Sequence, residues 1–428
     1  MQPLGLHKLF EVRNYYLLFV FICFFSQLKG QTFSLKDLES QFLQNNLQLI
    51  ANKFNISKAE ALIVQEKLWQ NPSLTVDNIN LWSNKSFETM PNVIGNFGSK
   101  QQINMDIQQL IETAGKRKKR IAIKSLERNA AQFEFEELLR QLKLELRTNF
   151  HSLGRIQLAE EQLNNVYRLF SQLNEQYKIQ SDKQHVSHVS YIRTNTELIG
   201  IQKELVDLLA EKNEKIQKLR ILTQNPNLQL AELNFEDSQK IIETSVPIYL
   251  NDKVYDQNIS LQAVKNDINL AEKQVELENA QKIPNINVLM NYERGGNVMS
   301  NFIGVGANID LPIFNRNKGN IQSAKLQVEQ NKATYLSKEQ EISNEVDMLC
   351  NQLNFYRQNL NDWKINSENE HSKVLENYIK YLNEKQVTLL EFIDFSQAFR
   401  DAQQAYLELT EKYLITFEEL QYTIGKDL

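Results

Sequence analysis

The chain has 428 residues, with 48 Lys and Arg against 53 Asp and Glu, a formal net charge of −5, and only 13 glycines and 7 prolines. Acidic and basic residues are interleaved and no basic stripe emerges, which argues against nucleic acid as a partner. Two cysteines, Cys23 and Cys350, make neither a disulfide framework nor a Cys-rich metal site. The length allows two or three ordinary domains, but scarce Gly and Pro with abundant Gln, Asn, Leu, Glu and Lys favour long helices over a loop-rich fold.

In chain order, His7, Lys8 and Arg13 precede an apolar run, YYLLFVFICFF (15–25), followed by SQLKGQ. The pattern predicts a signal peptide over 1–30, cleaved before Gln31. The alternative is a membrane anchor, but an apolar core of about 11 residues falls short of the ~20 that a spanning helix needs. Phe21 and Ile22 stand before Cys23 where a lipoprotein signal would carry small residues. A helix is predicted over 34–70, broken near Pro72. Strand 73–82 follows, with Leu74 and Val76 on one face, Ile79 and Leu81 on the other, and Trp82 at its end; the change of face suggests a bulge. Strand 102–111 alternates through Ile103, Met105, Ile107 and Ile111, and leads into Gly115 and the basic run GKRKKR. The helix predicted over 113–181 would be about 100 Å long at 1.5 Å per residue. Its apolar positions, among them Leu138, Leu142, Leu146, Leu153, Ile156, Leu163, Val166 and Phe170, are spaced three and four apart, as in a coiled coil. The chain reverses at a tip, 182–188, where Ser187 is the expected N-cap and Val186 with Tyr191 the staple pair. A return helix, 188–222, ends at a looser connector, 223–250, with Pro226 and Pro247.

The same design then recurs. Helix 251–282 stops before Pro284, strand 285–293 places Ile286, Val288, Met290 and Tyr292 on one face, and strand 302–311 ends before Pro312. Helix 316–382, tip 383–388 and helix 389–424 follow, with Thr388 and Glu391 as a capping box and Val387 and Phe392 as a staple. At an offset of 200 residues Ile103 falls on Ile303, Ile107 on Ala307 and Lys118 on Lys318; at 201, Tyr177 falls on Tyr378 and Val186 on Val387. These matches, in one order, indicate a tandem duplication: a first repeat over 31–222, a linker over 223–250 and a second repeat over 251–428. Two shorter helices laid end to end equal one long one, which suggests a rod of about 100 Å.

The four predicted strands have one apolar and one polar face at barrel-like length, and Trp82, Tyr292, Phe302 and Phe314 lie at strand ends where an interfacial girdle would sit. Four strands cannot close, and open edges cannot rest in lipid, so several chains would have to pool them. In that reading strand 302–311 lies in the membrane wall and the next helix continues the wall in water, without a turn. The basic residues Lys116, Arg117, Lys118 and Lys119 would face lipid headgroups, and Asp394 with Arg400 would form an ion-pair gate. A different class of reading is a secreted coiled-coil structural or adhesion protein with a small sheet.

GKRKKRI (115–121), LPIFNRNKGNIQSAK (311–325), the NPSL break (71–74) and the paired Tyr…Val–Ser/Thr tips resemble the TolC-like outer-membrane factor family, and within it the branch serving heavy-metal or multidrug pumps of the RND type. The resemblance implies a mainly α fold with a small β part: a homotrimeric α-helical barrel continuous with a twelve-stranded transmembrane β-barrel, in the outer membrane of a Gram-negative bacterium and reaching into the periplasm. It implies a passive, non-enzymatic duct without cofactors, exporting small solutes such as metal ions or drugs, or alternatively a type I secretion duct. Its partners would be outer-membrane lipid, a periplasmic adaptor and an inner-membrane pump. The adaptor would meet the tips at Gln184, Val186, Ser187, Lys385, Gln386, Val387 and Thr388. Family tips commonly carry a glycine where Lys183–Gln184 and Glu384–Lys385 stand here. No phosphate loop, HExxH or GxSxG motif occurs. His185 and His188 are too few to make a metal site.

Overall fold

The computed structural model describes residues 32–77, 79, 90–94, 102–243, 257–295, 301–367 and 371–428. The predicted signal peptide with Cys23, Trp82 with the end of strand 73–82, and residues 244–250 of the linker lie outside the described residues. In chain order the elements are α1 (Leu35–Asn45), α2 (Leu47–Glu66), β1 (Ser73–Asp77), β2 (Ile103–Ile111), α3 (Lys116–Asp182), α4 (His188–Thr223), a short 3-10 turn (Leu230–Glu232) and α5 (Glu236–Glu243). They continue with α6 (Ile259–Ala280), β3 (Ile286–Arg294), β4 (Asn301–Ile309), α7 (Lys318–Ser367), α8 (His371–Asn383) and α9 (Leu389–Ile424).

Two expectations need correction. The helix expected over 34–70 is two helices. Ser34 and Asp37 form a capping box that starts α1, but Asn46 leaves helical geometry at φ −64°, ψ 113°. Its buried side-chain amide donates 3.0 Å to the carbonyl of Leu222, one of the last carbonyls of α4, which lack helical partners. Second, the strand-to-helix passages contain turns. Ala114 and Gly115 stand at φ 53° and 67° between β2 and α3, a left-handed pair for which glycine is suited. Between β4 and α7 the Ile313 N–H donates 2.8 Å to the Leu311 carbonyl, and Asn317 is left-handed at φ 57°, its amide fixed on Glu278. The helix expected over 316–382 is described as α7 and α8 on either side of residues 368–370, which lie outside the described residues.

The chain divides into two compact units, and each draws on both repeats, so repeat and unit boundaries do not coincide. One unit takes residues 49–138 and 252–344 and holds all four strands. Its sheet is antiparallel throughout, in the order β1-β2-β3-β4. The other unit takes the described parts of 1–48, 139–251 and 345–428. In it Leu38 and Phe42 of α1, and Phe150, Leu153 and Ile156 of α3, are fully buried. Gly154 lets the ring of Phe235 lie against α3, since a Cβ there would come within 3.0 Å of that ring; Phe235 in turn packs on Phe150 at 4.7 Å between centroids. Around the tips, Val166, Phe170, Leu173, Ile201, Leu382, Phe392 and Phe399 form one buried cluster drawn from α3, α4, α8 and α9.

Candidate channel wall and docking tips

Antiparallel register puts cross-strand partners on the same face of a sheet. One face of this sheet is therefore built from the rows Ile103–Arg294–Asn301, Val76–Met105–Tyr292–Ile303, Leu74–Ile107–Met290–Val305, Gln109–Val288–Ala307 and Ile111–Ile286–Ile309. All but Gln109, Arg294 and Asn301 are apolar or aromatic, and although Ile103 is buried, most of the face is not covered by the described residues: Leu74 is 64 % exposed, Ile303 66 % and Val305 85 %. The other face is mainly polar, with Thr75, Asp77, Asn104, Asp106, Gln108, Asn287, Asn291 and Glu293, and it also carries Leu110, Leu289 and Phe302. Its amides and carboxylates are knitted together: Asn104 donates to Asp77 at 2.8 Å and to Asp106 at 2.9 Å, Asn291 donates to Asp106 at 2.7 Å, and Gln102 donates to Glu293 at 3.1 Å. The polar face is hydrogen-bonded among several of its own side chains and the apolar face is largely exposed, the reverse of a sheet that closes a soluble core. No helix among the described residues is long and apolar enough to cross a membrane, which leaves the sheet's own case untouched.

At the end of the sheet where β2 and β4 run into helices, the basic run GKRKKR is divided by its contacts. Lys116 is 3 % exposed and donates to the Ile283 carbonyl at 2.6 Å and the Asn285 side chain at 2.7 Å. It therefore ties the start of α3 to the approach to β3 and does not reach a headgroup, contrary to expectation. Lys119 turns back to the Ala114 carbonyl at 3.1 Å. Arg117 lies 3.9 Å over the ring of Trp69, and Lys118 alone of the four is exposed. Arg120, unremarked in the sequence, grips Glu112 with two bonds of 2.7 Å and Glu66 with one of 2.6 Å, joining α2, the end of β2 and α3. Tyr292, half-buried, donates from its hydroxyl to Asn301 at 2.9 Å.

The two tips repeat each other bond for bond. Gln184 and Lys385 stand at φ 58° and 59°. His185 N–H donates to Gln180 O and Gln184 N–H to Ser181 O; Gln386 N–H donates to Tyr381 O and Lys385 N–H to Leu382 O. This is the helix-ending motif that favours glycine at the left-handed position. Ser187 then accepts from the Ser190 N–H at 3.2 Å. Thr388 and Glu391 cap reciprocally, at 3.3 Å and 2.7 Å, and the Thr388 N–H and hydroxyl, donating to the Glu391 carboxylate, hold it below its ordinary range. Gln184, Ser187, Lys385, Gln386 and Thr388 are exposed, while Val186 is half-buried and Val387 packs on the cluster that contains Phe392. His188 meets Ser181 Oγ at 3.4 Å, and among the described residues no group of three His, Cys, Asp or Glu could hold a metal.

Further into the same unit, Arg400 is paired with Glu197 at 2.5 Å and Glu204 at 3.6 Å, not with Asp394, which is exposed. The structure therefore does not join the two residues expected to form a gate. Sequence reasoning also missed a buried network. Arg147 meets Glu39 at 2.5 Å, Glu418 at 2.8 Å and Asp427 at 3.2 Å; His151 bridges Ser238 at 3.0 Å and Glu418 at 3.2 Å. Burial pushes the Glu418 carboxyl up, but His151 and Arg147 outweigh it and hold it below the ordinary value of 4.5.

Residues 250–426 match the family model for outer membrane efflux proteins. The chain is 24 % identical over 319 residues to the cobalt-zinc-cadmium resistance protein CzcC of Cupriavidus metallidurans, covering 73 % of this chain and 71 % of that protein. Its fold is similar to that of the CmeC outer membrane channel of Campylobacter jejuni, with a TM-score of 0.74 and 16 % identity over 91 % of this chain and 85 % of that one. It is also similar to CusC, with a TM-score of 0.69 and 15 % identity over 92 % of both chains. The chain thus shares the fold of these outer membrane channels, mainly helical with a small antiparallel sheet.

Proposed function

We propose that three copies of the chain pool their sheets into a twelve-stranded barrel in the outer membrane of a Gram-negative bacterium, continuous with a helical tunnel in the periplasm. One observation carries this reading: a four-stranded sheet with an exposed apolar face and a hydrogen-bonded polar face, whose outer strands β1 and β4 each pair on one side only. Open strand edges are not tolerated in hydrocarbon, whereas β4 of one copy against β1 of the next removes every edge. The apolar face then meets lipid and the Asn/Asp/Glu face lines the lumen.

The duct is passive; the free energy for export comes from an inner-membrane pump of the RND type, reached through a periplasmic adaptor. The exposed tip residues Gln184, Ser187, Lys385, Gln386 and Thr388, with Val186 and Val387 beneath them, form the adaptor contact. Metal ions are the favoured cargo, because the CzcC relative is a cobalt-zinc-cadmium resistance protein. Residues 1–30 serve as the export signal. Purified protein, reconstituted in a planar bilayer, should run as a detergent-stable trimer and give discrete conductance steps. A monomer that stays soluble without detergent and gives no steps would instead favour a secreted coiled-coil protein.

A further inference from the structure

We infer that the cavity bordered by α3, α5 and α9 is a binding site for amphipathic organic cations, with an apolar aromatic body on its walls and a positive head beside Glu161 and Glu236 at its mouth. The site lies wholly within the compact unit that contains the tips. It is a property of a single chain and does not rest on the barrel.

The cavity measures about 410 Å³, within the range of about 300–1,000 Å³ that takes drug-sized molecules. Small residues on all three helices leave it open: Gly154 on α3, Ser238 on α5 and Thr410 on α9. Its walls are apolar, with Leu233, Phe235, Leu407 and Leu414. The three leucines are buried, and Phe235, half-buried, offers an aromatic ring. Such walls, with a few polar groups converging at one side, are the usual composition of a small-molecule site. Moving an apolar body from water onto them supplies the affinity.

The charges around the cavity select the sign of the ligand. Arg155 lines it but is already held by Glu411, at 2.7 Å, and by Glu211. Both ring nitrogens of His151 are taken, one by Ser238 and one by Glu418. An anion would therefore meet no lining cation without a partner. The carboxylates of Glu161 and Glu236 also line the cavity, are exposed, and form no ion pair among the described residues. A cationic head placed beside them stays partly hydrated, so it escapes the cost of burying a charge. The sign and the position of the unpaired charge thus both match a ligand with an apolar body and one positive end.

The test uses the chain from residue 31 in a nonionic detergent and the fluorescent cation dimethylaminostyryl-N-methylpyridinium, whose emission rises when it is held rigidly, read against protein-free micelles. The expected result is saturable binding, reversed by naphthylmethylammonium and not by naphthylacetate, which carries the same ring with the opposite charge. Glu161→Gln combined with Glu236→Gln should weaken binding roughly fivefold, the size of two solvent-exposed ion pairs. Thr410→Phe, which fills the cavity from α9, should abolish it. Leu158→Lys puts a cation at a lining position that is 49 % exposed; it should also weaken binding, and it keeps the test open if Thr410→Phe fails to fold. Absence of saturable binding would overturn the inference, as would equal displacement by naphthylacetate. Unaltered binding in the double glutamine variant would show that charge is not read, and binding that survives Leu158→Lys would place the dye elsewhere; either would also overturn it.

Discussion

Val305 in β4 is 85 % exposed and Phe392 in α9 is 0 % exposed, yet each sits in a regular row of apolar side chains. Around Phe392 the rows of α3, α4, α8 and α9 meet one another: Phe170 lies 5.6 Å from the Phe392 ring and Tyr378 stacks on Phe395 at 3.9 Å. Around Val305 the rows of four strands are aligned but face outward. The helical seam finds its solvent inside the chain; the sheet needs one from outside. Apolar periodicity alone thus says that a face is to be buried, and the fold decides in what.

The largest expected effect is in the helical cluster. Phe392→Ala removes a fully buried ring and should cost about 3–5 kcal/mol, measurable as a loss of thermal stability of the detergent-solubilised protein. Val305→Arg sharpens the contrast from the other side. It touches no buried contact within the chain, so a soluble protein would tolerate it within about 0.5 kcal/mol. On a lipid face near the bilayer midplane it should cost roughly 2–4 kcal/mol, seen as failure to fold into vesicles with detergent-micelle helicity unchanged. Unimpaired insertion of Val305→Arg would show that this face does not meet lipid.

A third, smaller effect separates polar burial from apolar burial. Glu418 is 2 % exposed and its folded pKa is held below the ordinary 4.5. A lowered folded pKa means that the carboxylate's contribution is complete above the unfolded value and is lost as pH falls through the folded one. Thermal stability should therefore drop on acidification below about pH 4.5. Glu418→Gln, which weakens charge-assisted bonds to Arg147 and His151, should lower stability by about 1.5–3 kcal/mol near neutrality and flatten that part of the pH profile. An unchanged acid limb in Glu418→Gln would assign the acid sensitivity to Glu39 or Asp427 instead.

What could be read from the sequence was what local spacing encodes. A period of two through Met105, Ile107, Met290 and Val305 gives strands and their faces, and three residues from Thr388 to Glu391 give a cap. What could not be read depends on partners far along the chain. Asn46 breaks a helix because Leu222 lies beside it. Lys116 belongs to a run that looks solvated, and is buried because Ile283 and Asn285 arrive from the other repeat. Arg400 stands six positions from Asp394 in the sequence, but its carboxylates come from α4. Charge density marks GKRKKR in the sequence, but only contacts from elsewhere show that Lys116 and Lys119 are engaged within the chain while Lys118 stays exposed.

The smallest prediction concerns the tips, where the two repeats agree most closely. Lys385 occupies the left-handed position of a helix-ending turn at φ 59°, a conformation that costs a residue with a Cβ about 1–2 kcal/mol. Lys385→Gly removes that strain but returns about 0.4–1 kcal/mol through a freer unfolded chain. The net gain should be about 0.5 kcal/mol by the same two principles, detectable as a small rise in the denaturant midpoint with unchanged slope. Lys385→Ala keeps the Cβ and should give no gain, and Gln184→Gly, at φ 58° in the first repeat, should match Lys385→Gly. If Lys385→Gly were destabilising while Gln184→Gly stabilised, the Lys385 side chain would hold its tip through contacts that Gln184 does not make, and the two tips would be equivalent in backbone only.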